Sequence, residues 1–245
     1  MNPAWIRPDW PAPPHVRAFA TTRAGGVSEG EFASLNLGGK GGDDPARIER
    51  NREILREHLP ERPQWLVQVH GAASVRLESL PPATAPRADG AVTSRPGRVC
   101  AILTADCMPL LLCAEDGSAV GAVHAGWRGL AAGVIESGVA ALGVDPARVL
   151  AWMGPTIGPA AYEVGPEVRE AFLAADPGAG EAFAAHRPGK FLADLYALAR
   201  RRLARTGVTS VHGGGFCTFT ERDRFFSYRR TPASGRMGTF AWIQG

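Results

Sequence analysis

No stretch of this chain is long and apolar enough to read as a membrane span. Its most hydrophobic run, through TADCMPLLLCA, is interrupted by Asp106 and Pro109, well short of the roughly 20 consecutive apolar residues a spanning helix needs. The N-terminal MNPAWIRPDWPAPP, broken by prolines and Asp9, lacks the apolar core of a signal peptide, so a cytoplasmic location is expected. Cysteine is scarce: Cys100, Cys107, Cys113 and Cys217 are the only four, and without an export signal they read as thiols or ligands rather than disulfides. Excess charge of one sign is missing too. Twenty-seven Lys and Arg against 24 Asp and Glu leave +3, too little to argue for nucleic acid, although a small anionic substrate needs only one or two arginines. There is no repeat of fixed period and no clear linker. The glycines between Gly38 and Gly42 lack the G-x-x-x-x-G-K-[ST] spacing of a phosphate loop and read as a flexible polar loop.

What remains is the composition of an ordinary globular protein, 45% hydrophobic and 21% charged over 245 residues, read as one domain over residues 1–245. Residues 15–23 look like an opening strand. Asp44 as N-cap and Pro45 at the first helical position open a helix whose stripe of Ile48, Leu55 and Leu59 ends at Pro60. QWLVQVHGAASVRL alternates as a strand does and delivers His70 just before Gly71. A Pro-rich connector over residues 80–90 leads into ADGAVTS, another strand. A helix of small residues is expected from Leu130 to Leu142, a buried strand around Leu150 to Met153, and a helix with Pro166 at its start. A last helix is expected over Phe191 to Arg205, with Arg200, Arg201, Arg202 and Arg205 complementing its dipole rather than binding nucleic acid. The tail reads as two or three strands. This irregular mixture favours α+β over a doubly wound fold.

Val99 to Leu142 is the centre of the reading. Pro109 to Ala114 and Ala119 to His124 are apolar segments flanking Asp116-Gly117, a strong short-range hairpin signal. With Asp116 and Gly117 as the two loop residues, His124 faces Pro109 and Cys107 lies on the diagonal just beyond. Residues of one parity share a face, and diagonal neighbours lie about 7 Å apart. The spacing therefore brings Cys107 and His124 together at the open end of the hairpin. There Gly126 and Gly129 bracket Trp127-Arg128, allowing a tight turn from strand into a helix whose N-terminus suits an anion.

With His70 added, the set is His2Cys. Thiolate plus two imidazoles suits zinc with a fourth position left open. The same residues also fit a metal-free thiol enzyme with Cys107 as nucleophile and His124 as base, a blue-copper site with Met108 as axial ligand, or a Cys107 that is merely a small buried hydrophobe. Asp106 reads either as a turn residue or as a carboxylate that orients a ligand imidazole or moves a proton.

At TADCMPLLL, VHAGWRG and QVHG the chain resembles the YfiH family, also called the laccase-domain or multicopper polyphenol oxidase family, which is associated with purine nucleoside phosphorylase activity. TTRAGGVSEGEFASLNLG, NREIL, GPTIGPAAYEVG, CTFTERDRFFSYRR and SGRMG extend the agreement in family order over nearly the whole length. The resemblance implies an α/β/β/α layered α+β fold, zinc on His70, Cys107 and His124, and phosphorolysis of adenosine, inosine and methylthioadenosine to free base and sugar 1-phosphate, with adenosine deamination as a second activity. The expected partners are purine nucleosides and phosphate, with neither nucleic acid nor membrane, for a monomer or homodimer. Arg128 is the first candidate to anchor phosphate or ribose, and Arg23 and Arg229, in the matching terminal motifs, are the next. Copper is the lesser expectation, because trinuclear copper clusters rest on His-x-His pairs and none of the six histidines forms one. The zinc nucleoside deaminases are no template either, since H-x-E and P-C-x-x-C are both absent. A similarity of fold to glutamine-deamidating toxins, and the family's link to peptidoglycan precursors, set the alternative: a Cys or zinc amidohydrolase acting on such a precursor.

Overall fold

The computed structural model describes residues 2–80 and 85–245; residues 81–84 of the expected connector lie outside them. In chain order the elements are β1 (Val16–Ala20), α1 (Pro45–Arg56), β2 (Ser74–Arg76), β3 (Gly90–Thr93), β4 (Cys100–Thr104), β5 (Met108–Ala114), β6 (Val120–Ala125), α2 (Trp127–Ala132), α3 (Val134–Leu142) and β7 (Val149–Met153). They continue with β8 (Glu163–Val164), α4 (Pro166–Leu173), β9 (Phe183–Ala185), β10 (Phe191–Ala193), α5 (Leu195–Thr206), β11 (Ser210–Gly213) and β12 (Met237–Ile243). No helix among the described residues is long and apolar enough to cross a membrane.

Two sheets stack face to face. One has the order β1-β12-β4, the other β11-β7-β5-β6-β3-β2, and a small third sheet orders β8-β10-β9. The period-2 alternation of each strand distributes its side chains between layers. Phe19, Ala101, Phe240 and Trp242 turn outward from the first sheet onto Leu55 of α1. Ala20, Ile102, Ala241 and Ile243 turn inward against Leu111, Val120, Ala122 and Trp152 of the second. Leu110, Leu112, Val123 and Ala151 take the far face, under Ile135 and Val139 of α3 and Leu203 of α5. The result is the α/β/β/α sandwich that the resemblance implied, with mixed sheets: β2–β3 and β7–β11 run parallel, the other pairs antiparallel.

Several local expectations are corrected. The alternating segment before His70 is not a strand: its ladder is a single bridge, Val67 to Arg87. Instead the Gln68 side chain acts as a strand neighbour would, donating to Leu103 O and accepting from Leu103 N, both at 2.8 Å. The run expected as one helix breaks into α2 and α3 at Gly133, whose φ is 95°. Phe191–Ala193 pairs with β8 and β9 rather than opening α5, and Asp194 caps that helix by accepting from Ala197 N. The polar glycine-rich loop is fastened by buried Asn51, which donates to Ser28 Oγ and to the carbonyls of Ser34 and Asn36, while Asp43 accepts from Ser28 and Asn36. The arginines of α5 are tertiary ties: Arg202 reaches Glu136 and Ala131 O, Arg201 Asp176, Arg205 Ala175 O and Arg200 Gly213 O.

Candidate metal centre

The hairpin forms in the expected register. Pro109 pairs with His124, Met108 with Ala125 and Leu110 with Val123, and the turn closes with Gly117 N donating to Ala114 O. Paired residues share a face. His124 therefore points to the side of Leu111 and Ala122, into the seam between the two main sheets, whereas Met108 points with Leu110 and Val123 toward the helices. That parity removes Met108 as an axial ligand.

At the mouth of the hairpin the donor atoms of His70, Cys107 and His124 all lie within 4.8 Å of one another. Cys107 Sγ is 3.8 Å from His70 Nε2, and the two imidazoles stand nearly perpendicular with ring centroids 4.8 Å apart. His70 is exposed, Cys107 half-buried and His124 buried. His70 adopts a left-handed φ of 60°, uncommon for a non-glycine residue. A Cβ at Gly126 would sit 2.9 Å from Cys107 Sγ and 3.1 Å from His70 Cδ2, so this position is glycine because the ligands occupy the space a side chain would take.

Asp89 organises the cluster. Its side chain is fully buried. Oδ1 lies 2.8 Å from His124 Nδ1 and accepts from His70 N at 2.9 Å, while Oδ2 accepts from Val69 N and Gly71 N. Its own carbonyl accepts from His124 N at 2.6 Å. One carboxylate thus fixes both the histidine turn and the histidine ring, and with Nδ1 so engaged, His124 has Nε2 left for a ligand. Burial pushes the Asp89 carboxyl up, but hydrogen bonds from His124, Gly71 and His70 outweigh it and hold the group below the usual carboxylate range. Burial likewise raises the Cys107 thiol, yet the charge of His124 and hydrogen bonds from both imidazoles bring it well below an ordinary thiol. For His124 burial acts downward, and the facing Cys107 thiolate together with Asp89 reverses it, so the imidazole is held above its ordinary value. A thiolate and two imidazoles, converging and oriented by a carboxylate, fit a metal with three protein ligands and one open position.

The remaining residues singled out by sequence divide. Asp106, at φ 82°, accepts from Thr218 Oγ1, Ser227 Oγ and Arg229 N, while its carbonyl accepts from Thr156 Oγ1 and Ile157 N. It ties the C-terminal segment to the hairpin mouth, and the carboxylate on the His124 ring is Asp89. Arg128 is exposed, lies 4.4 Å from the Trp127 ring, and has no carboxylate partner among the described residues. Arg229 donates to Glu163 O and lies over Tyr162 at 5.3 Å. Arg23 is spent on the carbonyls of Ala33 and Arg222 and stacks on Phe226. Asp89 and Tyr162 escaped the sequence reading. The only local signal for Asp89 was an acid immediately before Gly90 and strand β3, and its meaning depends on β3 pairing with β6.

The family described as multi-copper polyphenol oxidoreductase laccase matches residues 17–244. A protein of Pseudomonas aeruginosa named purine nucleoside phosphorylase is 54% identical over 245 residues, covering all of both chains. The Escherichia coli purine nucleoside phosphorylase YfiH is 51% identical over 240 residues, 97% of this chain and 98% of that one. A Neisseria meningitidis protein of known crystal structure superposes with a TM-score of 0.95 at 48% identity, covering 99% of this chain and 100% of that one.

Proposed function

This chain belongs to the multi-copper polyphenol oxidoreductase laccase family, and on that footing we propose that it is a zinc-dependent purine nucleoside phosphorylase. Its substrates would be adenosine, inosine and methylthioadenosine, cleaved with phosphate to free base and sugar 1-phosphate. The observation that carries the reading is the three-donor cluster at the hairpin mouth, with Arg128 in the helix that directly follows β6 and Arg229 bonded through its backbone to Asp106, the neighbour of Cys107. Full-length relatives named for this reaction supply the substrate class.

In phosphorolysis an oxygen of phosphate forms a bond to C1′ as the C1′–N bond breaks, and the electron pair of that bond leaves with the purine. The chain must neutralise phosphate, orient it and protect the developing positive charge on the sugar. Arg128 can meet an oxyanion with two parallel N–H donors, and no carboxylate among the described residues competes for it. The Arg229 backbone N–H is held by Asp106 and its Nη1 donates to Glu163 O, leaving other guanidinium donors for an anion. His70, Cys107 and His124 would hold zinc, which when bound supplies a Lewis-acidic position for a phosphate or substrate oxygen. Zinc is favoured over copper because the chain has no His-x-His pair and Met108 faces the opposite side of the sheet from His124.

One observation favours a second reading. Cys107, His124 and Asp89 are ordered as thiol, imidazole and carboxylate, the arrangement of a thiol amidohydrolase, for which a peptidoglycan precursor is the substrate to try. Phosphate separates the two. Purified protein incubated with inosine or adenosine should release free base and ribose 1-phosphate only when phosphate is present, and Cys107→Ala should lose both the metal and the activity. Adenosine converted to inosine without phosphate would add the deaminase activity. No base release in either condition would reject the phosphorylase and leave the amidohydrolase.

A further inference from the structure

The chain has three tyrosines, and they are used in three different ways. Tyr196 is a structural phenol, its hydroxyl donating toward the carbonyls of Gly154 and Phe216. Tyr228 lies on the surface, 55% exposed. Tyr162 is neither. It is nine-tenths buried, at 9% exposure, yet its hydroxyl has no hydrogen-bond partner among the described residues. A buried polar group without a partner is costly and uncommon, and this hydroxyl is not sealed in the core but keeps a small exposed surface. The ring is packed and the tip is open.

A short chain of contacts links that residue to the candidate centre. The Arg229 guanidinium lies 5.3 Å from the Tyr162 ring centre, and the Arg229 backbone N–H donates to the carboxylate of Asp106, the neighbour of Cys107. The backbone at Tyr162 is held too: its carbonyl accepts from Ala193 N, and the next residue, Glu163, pairs with Leu192 of β10. The small third sheet therefore places the phenol rigidly. We propose that Tyr162 is a phosphate-binding residue, its hydroxyl donating a hydrogen bond to a phosphate oxygen held between Arg128 and Arg229. The inference rests on the phosphorylase reading for its consequence in turnover and on the contacts and charges around Tyr162 for the anion site.

The choice of phosphate over purine or ribose follows from charge. Burial first, then the nearby Cys107 and Asp106, push the phenol above its ordinary value, against the opposing pull of Arg229 and Arg128. The group stays protonated at neutral pH and can donate to an anion, the ligand that the two guanidinium groups attract. A neutral donor beside two cations also gives the site a fixed hydrogen-bond direction that charge alone does not provide.

The test is Tyr162→Phe, which removes one oxygen and keeps the packed ring. Two quantities are measured on zinc-loaded protein: the KM for phosphate and for inosine in base release, and the binding of inorganic phosphate without nucleoside by titration calorimetry. Zinc content and thermal unfolding midpoint serve as folding controls. The expected result is a phosphate KM and a phosphate dissociation constant raised about 10- to 100-fold, the size expected for losing a hydrogen bond to a charged group, with the inosine KM unchanged. Wild-type phosphate affinity in Tyr162→Phe, or a rise in the inosine KM alone, would overturn the assignment. So would a wild-type protein that binds no phosphate. Should the wild type bind phosphate, lose that binding in Tyr162→Phe and yet release no base, the anion site stands and the phosphorylase reading falls.

Discussion

At the scale of single residues, Asp89 shows how a candidate centre of three ligands depends on a fourth side chain. Its two oxygens meet His124 Nδ1 and the N–H groups of Val69, His70 and Gly71, so every one of its partners is a donor. Asparagine in its place would turn an amide N–H either toward Nδ1, which puts the His124 proton on the metal-facing nitrogen, or toward the backbone donors of the histidine turn. Asp89→Asn should therefore weaken zinc binding about 10- to 100-fold, measured by competition with a chelating indicator, with the circular dichroism spectrum unchanged. Unaltered zinc affinity would reduce Asp89 to a packing role. Cys107 and His124 were legible before any coordinates because a two-residue turn determines register across a hairpin. Asp89 was not, since it reaches His124 through β3, the neighbour on the other side of β6, and nothing local selects that neighbour.

Among the elements, the break between α2 and α3 is the clearest case of a backbone requirement hidden by a good pattern. LAAGVIESGVAAL reads as one amphipathic run, and Val134, Ile135, Val139 and Leu142 do form a buried stripe. Gly133 nevertheless sits at φ 95°, where an L side chain costs about 1–2 kcal/mol. A Cβ there would meet only the Glu136 side chain, at an ordinary 3.6 Å, so the penalty is conformational rather than steric. Gly133→Ala should lower the unfolding midpoint by roughly 2–8 °C, seen by differential scanning calorimetry; an unchanged or higher midpoint would mean that α2 and α3 merge into one straight helix at little cost. The same kind of limit explains α5. Apolar periodicity carried the expected helix back to Phe191, but Phe191 to Ala193 have strand partners on both sides, and a cap at Asp194 is a local signal that competes with periodicity only once those partners are present.

For the whole molecule, the candidate ligands come from three separated places: the turn after Gln68, the residue before β5, and the end of β6. A metal binding all three favours the folded state by mass action, about 2.7 kcal/mol at a free concentration one hundred times its dissociation constant. Zinc should raise the unfolding midpoint and a chelator should lower it, while Cys107→Ala should respond to neither; a midpoint insensitive to chelation in metal-loaded wild-type protein would reject a metal held by all three. The sequence by itself determined the hairpin register, the α1 cap at Asp44, the mixture of α and β, and the meeting of Cys107 with His124, because each depends on turn chemistry, capping or periodicity within a short span. Tertiary packing decided that Gln68 substitutes for a strand, that Asp89 and not Asp106 holds the His124 ring, that the α5 arginines tie helices and loops together, and that the Tyr162 hydroxyl has no partner among the described residues. Each of those depends on which distant segment packs alongside, and that choice is made by burying three layers of side chains at once, not by any one stretch of chain.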